Sequence, residues 1–131
     1  MWIYDKGDKF FKKIDTDFKT GIYYLQLLSD KRVFVGSRDK GFMLFNQASD
    51  ESDYYNKNKY TQMKSNNIFG AFSDDSGNVW LSLDIPGVLL FNSESNSFSY
   101  LLQSTPNINR SLSPEARFFV FKDIHGTFWV H

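Results

Sequence analysis

IFGAFSDDSGNVWLSLDIPGVLLFN, residues 68 to 92, lies on IYYLQLLSDKRVFVGSRDKGFMLFN, residues 22 to 46, without a gap. The offset is 46, so Ile22 meets Ile68, Val33 meets Val79, Phe34 meets Trp80, Gly41 meets Gly87, and Phe45-Asn46 meets Phe91-Asn92. ARFFVFKDIHGTFWVH, residues 116 to 131, repeats the first half at an offset of 49, with Asp123 under Asp74 and Trp129 under Trp80. At the other end, Tyr4-Asp5 of MWIYD falls under Phe45-Asn46 at an offset of 41. A unit of about 45 residues therefore repeats along the chain.

Each unit holds four short apolar runs. The first is IYYLQLL, IFGAFS or RFFVFK, and a polar turn (SDK, DDSGN or DIHG) leads to the second, RVFVGS, VWLSL or TFWV. A link containing Gly precedes the third, GFMLFN or GVLLFN; the fourth is DYYN, FSYLL (98 to 102) or, near the start, FFKKI (10 to 14). Runs of 4 to 7 residues rich in Phe, Val, Ile and Tyr between polar turns predict strands. No segment carries a capped apolar stripe at helical spacing.

Four strands per unit predict an all-β chain of β-propeller blades, each an antiparallel four-stranded sheet. The expected layout is one array over 1–131: the end of a blade at 1–15, full blades at 22–60 and 68–102, and the start of a blade at 116–131. Closed propellers need about 4 to 8 blades. This piece is therefore expected to form an open arc that exposes Trp2 and Trp129 at its ends and is aggregation-prone or oligomeric. In the turn DDSGN, Asp74, Ser76 and Asn78 are expected to offer side-chain oxygens to the backbone, with Gly77 at positive φ.

Composition narrows the function. With 15 basic and 15 acidic residues there is no basic field for nucleic acid, and Cys is absent, so no disulfide or thiolate site exists. The chain has 14 Phe, 7 Tyr and 3 Trp but only three Ala, which favours strands over helices. No apolar run reaches the roughly 20 residues of a membrane helix, and MWIYDKGDKFFKK has no signal-peptide core. The two His, His125 and His131, have no metal-ligand spacing. Asp74 and Asp75 are sequence neighbours that point apart on a strand end, a poor arrangement for general acid–base work. No phosphate loop, nucleophile elbow or cofactor motif occurs, so the chain reads as a non-enzyme without cofactor or metal.

The turn-and-strand phrase resembles the two-component regulator propeller repeat, in which Asp-x-x-Gly-Asn precedes a Trp-bearing strand and a later Gly precedes an aromatic and Asn or Asp. Asp74, Gly77, Asn78, Trp80, Gly87, Phe91 and Asn92 match it; Leu81-Ser82-Leu83 departs from it, and Leu28 and Lys31 replace the turn Asp and Gly in the first unit. Ser73-x-Asp75-x-Gly77-x-x-Trp80 also resembles the Asp-box of sialidases, but the third unit has Ile124 where that pattern needs Asp75. The recurring acid is Asp74, repeated as Asp123, which favours the regulator family.

This resemblance implies a fragment of the periplasmic sensor region of a bacterial hybrid histidine kinase, recognising an oligosaccharide beside the remaining blades of its parent. A structural or protein-interaction propeller piece is the alternative reading, and a sialidase-like fragment a weaker one. In propellers the loops joining second to third strand, and fourth to the next first strand, share one face. There Arg38, Asp39 and Asp84, together with Asn107, Asn109 and Arg110 of PNINRS, are the candidate ligand-binding residues, able to hydrogen-bond sugar hydroxyls.

Overall fold

The computed structural model describes residues 1–7, 9–85, 87–101 and 120–130. Its strands are β1 (Trp2–Asp5), β2 (Phe10–Lys13), β3 (Ile22–Leu27), β4 (Arg32–Ser37), β5 (Phe42–Asn46) and β6 (Glu51–Tyr55). After a 3-10 turn at Thr61–Met63 come β7 (Ile68–Ser73), β8 (Asn78–Leu83), β9 (Val88–Asn92), β10 (Ser97–Leu101), β11 (Val120–Lys122) and β12 (Phe128–Val130). β3 to β6 form one antiparallel sheet in sequence order, and β7 to β10 another. β1–β2 and β11–β12 are two-stranded. The chain is a β-propeller fragment, and its described residues form two four-stranded blades and two two-stranded sheets.

The pairing register repeats as faithfully as the sequence. Leu25 faces Val35 and Phe34 faces Leu44 in the first blade; Ala71 faces Leu81 and Trp80 faces Leu90 in the second. Every one of these partners is related by the offset of 46. β1 and β2 keep the register of a third and fourth strand, since Ile3 opposes Lys12 as Leu44 opposes Asp53. β11 and β12 keep that of a first and second strand, since Phe121 opposes Trp129 as Phe72 opposes Trp80.

Alternation along each strand divides the core into two seams. Phe34, Phe42 and Leu44 point toward the second blade, where they meet Val79, Leu81, Leu89 and Phe91. Val35, Met43 and Phe45 point the other way, against Ile14 and Ile3 beside the first half-blade. The larger seam is aromatic. Phe42 stacks on Tyr55 at 4.6 Å and on Phe34 at 4.9 Å, and meets Phe91 edge-on at 5.0 Å. Full burial of each such side chain contributes roughly 1.5–3 kcal/mol. The Tyr55 hydroxyl donates to Asn96 Oδ1 at 2.7 Å, and burial pushes its pKa up to about 12. The seam thus holds a phenol without leaving its oxygen unpaired.

The three turns that join β3 to β4, β7 to β8 and β11 to β12 share one backbone. Leu28 N–H donates to the Arg32 carbonyl, Asp74 N–H to that of Asn78, and Asp123 N–H to that of Thr127. The residue before the one whose carbonyl closes the turn is left-handed in all three: Lys31 (φ 66), Gly77 (φ 75) and Gly126 (φ 84). This is a three-residue hairpin loop with a left-handed residue at its end. Asp74 is the acid that holds the turn, accepting from the Ser76 and Asn78 amides and from the Trp80 indole at 2.9 Å. Asp123 does the same toward His125, Thr127 and Trp129. Asp75, the acid of the Asp-box pattern, instead meets Lys122 of β11 at 2.6 Å. Asn78 Oδ1 accepts from Asn92 on β9 and so braces the sheet as well as the turn.

Candidate functional site

The face opposite these turns carries the links between second and third strands and between successive blades. Its geometry starts from a skipped residue. β3 and β4 slip register between Ile22 and Tyr24, and β7 and β8 slip between Ile68 and Gly70. The residues passed over are Tyr23 and Phe69, which are equivalent at the offset of 46. A bulge re-aims its side chain out of the alternating pattern. Here it places one aromatic at the start of each innermost strand, with Tyr23 49% exposed.

Arg38 lies against both. Its guanidinium carbon is 4.3 Å from the Tyr23 ring centroid and 5.2 Å from that of Phe69. At an exposed site such contacts are worth about 0.5–1 kcal/mol each, enough to orient a flexible side chain. The loop that presents Arg38 is stiff. The buried Ser37 hydroxyl donates to the Gly41 carbonyl at 2.9 Å and accepts the Lys40 amide at 3.0 Å. Gly41 (φ 84) has no room for a side chain, because a Cβ would fall on the Tyr55 carbonyl oxygen. Its N–H reaches the Asn66 carbonyl at 3.0 Å, tying this loop to the link that leads into the next blade.

The remaining candidates divide. Asp39 Oδ1 is buried with no hydrogen-bond partner among the described residues. A buried carboxylate oxygen left unpaired is costly, so it is a ready acceptor for an incoming donor. Asp84 accepts from Asn67 Nδ2 at 2.5 Å, directly before the strand that carries Phe69. Asn107, Asn109 and Arg110 lie outside the described residues. The sequence did not single out Tyr23 and Phe69. Their signal was the aromatic at the same place in two aligned first strands, hidden inside runs that read as core.

Beside this cluster a cleft of about 440 Å³ is lined by Thr16, Asp17, Lys19, Lys40, Tyr54 and Asn56. Together the face offers aromatic plates, a fork of guanidinium donors, carboxylate acceptors and amides. That set can stack on a ring and hydrogen-bond hydroxyls. Among the described residues, the acids whose pKa values are lowered, Asp30, Asp74 and Asp123, sit on the opposite face in the hairpin turns.

No family model matches the chain, and no curated protein does. Solved structures do. One is the "extracellular domain of the putative hybrid two component system BT3049 from B. thetaiotaomicron", with TM-score 0.69 and 19% identity over 98% of this chain. A second is the extracellular domain of "the putative one component system BT4673" from the same organism, with TM-score 0.68 and 14% identity, again over 98% of this chain. The chain spans only 16% and 17% of the lengths of those two domains. At such identities the shared property is the fold.

Proposed function

We propose that this chain is part of the sensor ectodomain of a bacterial two-component signalling protein, lying outside the cytoplasmic membrane, and that its loop face takes an oligosaccharide. The carrying observation is the Arg38 guanidinium held against Tyr23 and Phe69, two aromatics that the bulges turn out of the blade core. An aromatic ring provides a flat apolar plate for the C–H face of a sugar. Arg38, the unpaired Asp39 oxygen and the Asn67–Asp84 pair supply donors and acceptors around it. Asn107, Asn109 and Arg110 belong to the proposed ligand-binding set by their place in the loop order. The role is recognition rather than catalysis, with signalling carried by parts of the parent protein beyond these blades. The extracellular domains of similar fold support this reading.

A panel of neutral and acidic oligosaccharides titrated into the 131-residue chain tests the reading. The expected result is saturable binding of one class, weakened at least about fivefold by Arg38→Ala and by Tyr23→Ala, as loss of a hydrogen-bonding or stacking group typically costs about 1–3 kcal/mol. A panel with no saturating member, or binding untouched by both substitutions, overturns it.

A further inference from the structure

The links on the loop face and the turns on the opposite face differ in charge. Among the described residues the links carry six cations, Lys19, Arg38, Lys40, Lys57, Lys59 and Lys64, against four acids, Asp15, Asp17, Asp39 and Asp84. The turns reverse that balance, with three lysines against six acids, Asp30, Asp74 and Asp123 among them. The chain as a whole is neutral, so the excess of cations on the loop face comes from placement rather than composition.

The pairing differs too. Acids of the turns hold Lys12, Arg32 and Lys122 in ion pairs, through Asp50, Asp30 and Asp75. None of the six link cations is in an ion pair among the described residues. Three of them stand over rings instead: Arg38 over Tyr23 and Phe69, Lys59 over Tyr60 at 5.4 Å, and Lys64 over Tyr100 at 4.6 Å. A ring face attracts a cation without neutralising it. Lys19 and Lys40, both exposed, line the cleft of about 440 Å³, and the acid in its lining, Asp17, offsets only one of their two charges. The walls of that cleft are held at the backbone. The Asp17 amide bonds the Tyr54 hydroxyl, and Phe18 meets the Tyr54 ring edge-on at 5.9 Å. Lys40 N–H donates to Ser37 Oγ, and Asn56 Oδ1 accepts from the Asn58 and Lys59 amides.

We propose that the ligand of this face is an acidic oligosaccharide, with a carboxylate or sulfate held in the cleft by Lys19 and Lys40. The inference rests on the saccharide reading above and adds the charge of the ligand and the place where that charge sits. A cleft with excess charge of one sign concentrates ions of the other. Charge-assisted hydrogen bonds from ammonium to carboxylate or sulfate are about twice as strong as neutral ones. A neutral sugar would leave both ammonium groups without a counter-charge, so the site favours the acid.

Calorimetric titration with matched pairs within the oligosaccharide panel tests it: tetragalacturonate against its methyl ester, and a sulfated carrageenan tetrasaccharide against its desulfated form. The acidic member of at least one pair is expected to bind at least about tenfold tighter than its neutral partner, and to weaken as salt is raised. Lys19→Gln with Lys40→Gln should abolish that preference with far-UV circular dichroism unchanged, because both side chains are exposed. Asp17→Asn should strengthen acidic binding, a gain that a merely structural role would not produce. Neutral sugars binding as tightly as acidic ones, or neutral sugars alone, would overturn the inference and leave the saccharide reading standing. A panel with no saturating member would overturn both. An acidic preference untouched by the double substitution, or inorganic sulfate binding as tightly as the sulfated sugar, would also overturn the inference.

Discussion

The turn joining β3 to β4 and the turn joining β7 to β8 have the same backbone bonds and different chemistry. In the second blade Asp74 sits half-buried, and its carboxylate accepts from two turn amides, the Asn78 side chain and the Trp80 indole. In the first blade the same two places hold Leu28 and Phe34, 5% and 0% exposed. The two residues change together. With no indole N–H to receive, an acid at position 28 would lose a partner, and an apolar residue there gains the neighbouring seam instead. The first turn keeps an acid, Asp30, but uses it elsewhere. Asp30 binds Arg32 at 2.7 and 2.9 Å, and both residues reach Ser93 in the next blade. One solution thus closes a turn on itself, and the other clasps two blades.

If these are alternative solutions, mixing them should cost most. Leu28→Asp removes a buried aliphatic side chain and sets a carboxylate beside a phenyl ring, with an expected loss of about 3 kcal/mol. Phe34→Trp alone overfills a tight seam, at about 1–3 kcal/mol. The double variant should be more stable than the two losses predict, by about 1 kcal/mol, because the new indole can donate to the new acid. Urea unfolding of the four proteins measures that coupling. A coupling of zero would mean that the two sites vary independently.

The next effect in size is electrostatic. Burial tends to raise the pKa of Asp74, but the bonds from Trp80, Asn78 and Ser76 outweigh it and hold the carboxyl below its ordinary 3.8. Asp123 is lowered by Trp129 first and then by Thr127. A group whose folded pKa is depressed stabilises fully above its unfolded pKa, and loses that contribution as pH falls through the folded value. Asp74→Ala is therefore expected to cost about 1 kcal/mol at pH 7, modest because the site is half-exposed. The gap to wild type should close in urea titrations below about pH 4, near the ordinary carboxyl pKa. Leu28 and Phe34 carry no titrating group, so the Leu28→Ala loss should persist with little change across the same range.

These contrasts also show what could be read from the chain. Runs of alternating apolar residues placed the strands well: FFKKI became β2 at Phe10–Lys13, and FSYLL became β10 at Ser97–Leu101. Turn chemistry put Gly77 at positive φ for a reason that needed no tertiary contact. The bulge at Tyr23 and Phe69 was not legible, because a skipped residue changes the facing of a side chain without changing the alternating letters. The Asp74–Trp80 bond was missed for a related reason. It spans six residues around a hairpin, and only the fold brings them within 2.9 Å. Arg38 and Asp39 were readable as loop residues, while the rings beneath Arg38 were not.

The smallest effect concerns Lys31. It takes φ 66, where the matching places of the other two turns hold Gly77 and Gly126. A side chain with a Cβ pays a steric penalty of roughly 1–2 kcal/mol in this region. Glycine would relieve it but gives the unfolded chain more freedom, which offsets about 0.4–1 kcal/mol. Lys31→Gly is therefore expected to stabilise the chain by less than about 1 kcal/mol, since the side chain is exposed and little contact is lost. The urea midpoint should rise with an unchanged slope. A fall in the midpoint would mean that the Asp30–Arg32 clasp beside it needs the lysine-bearing turn, and that the first blade's turn is matched to its neighbour rather than strained by it.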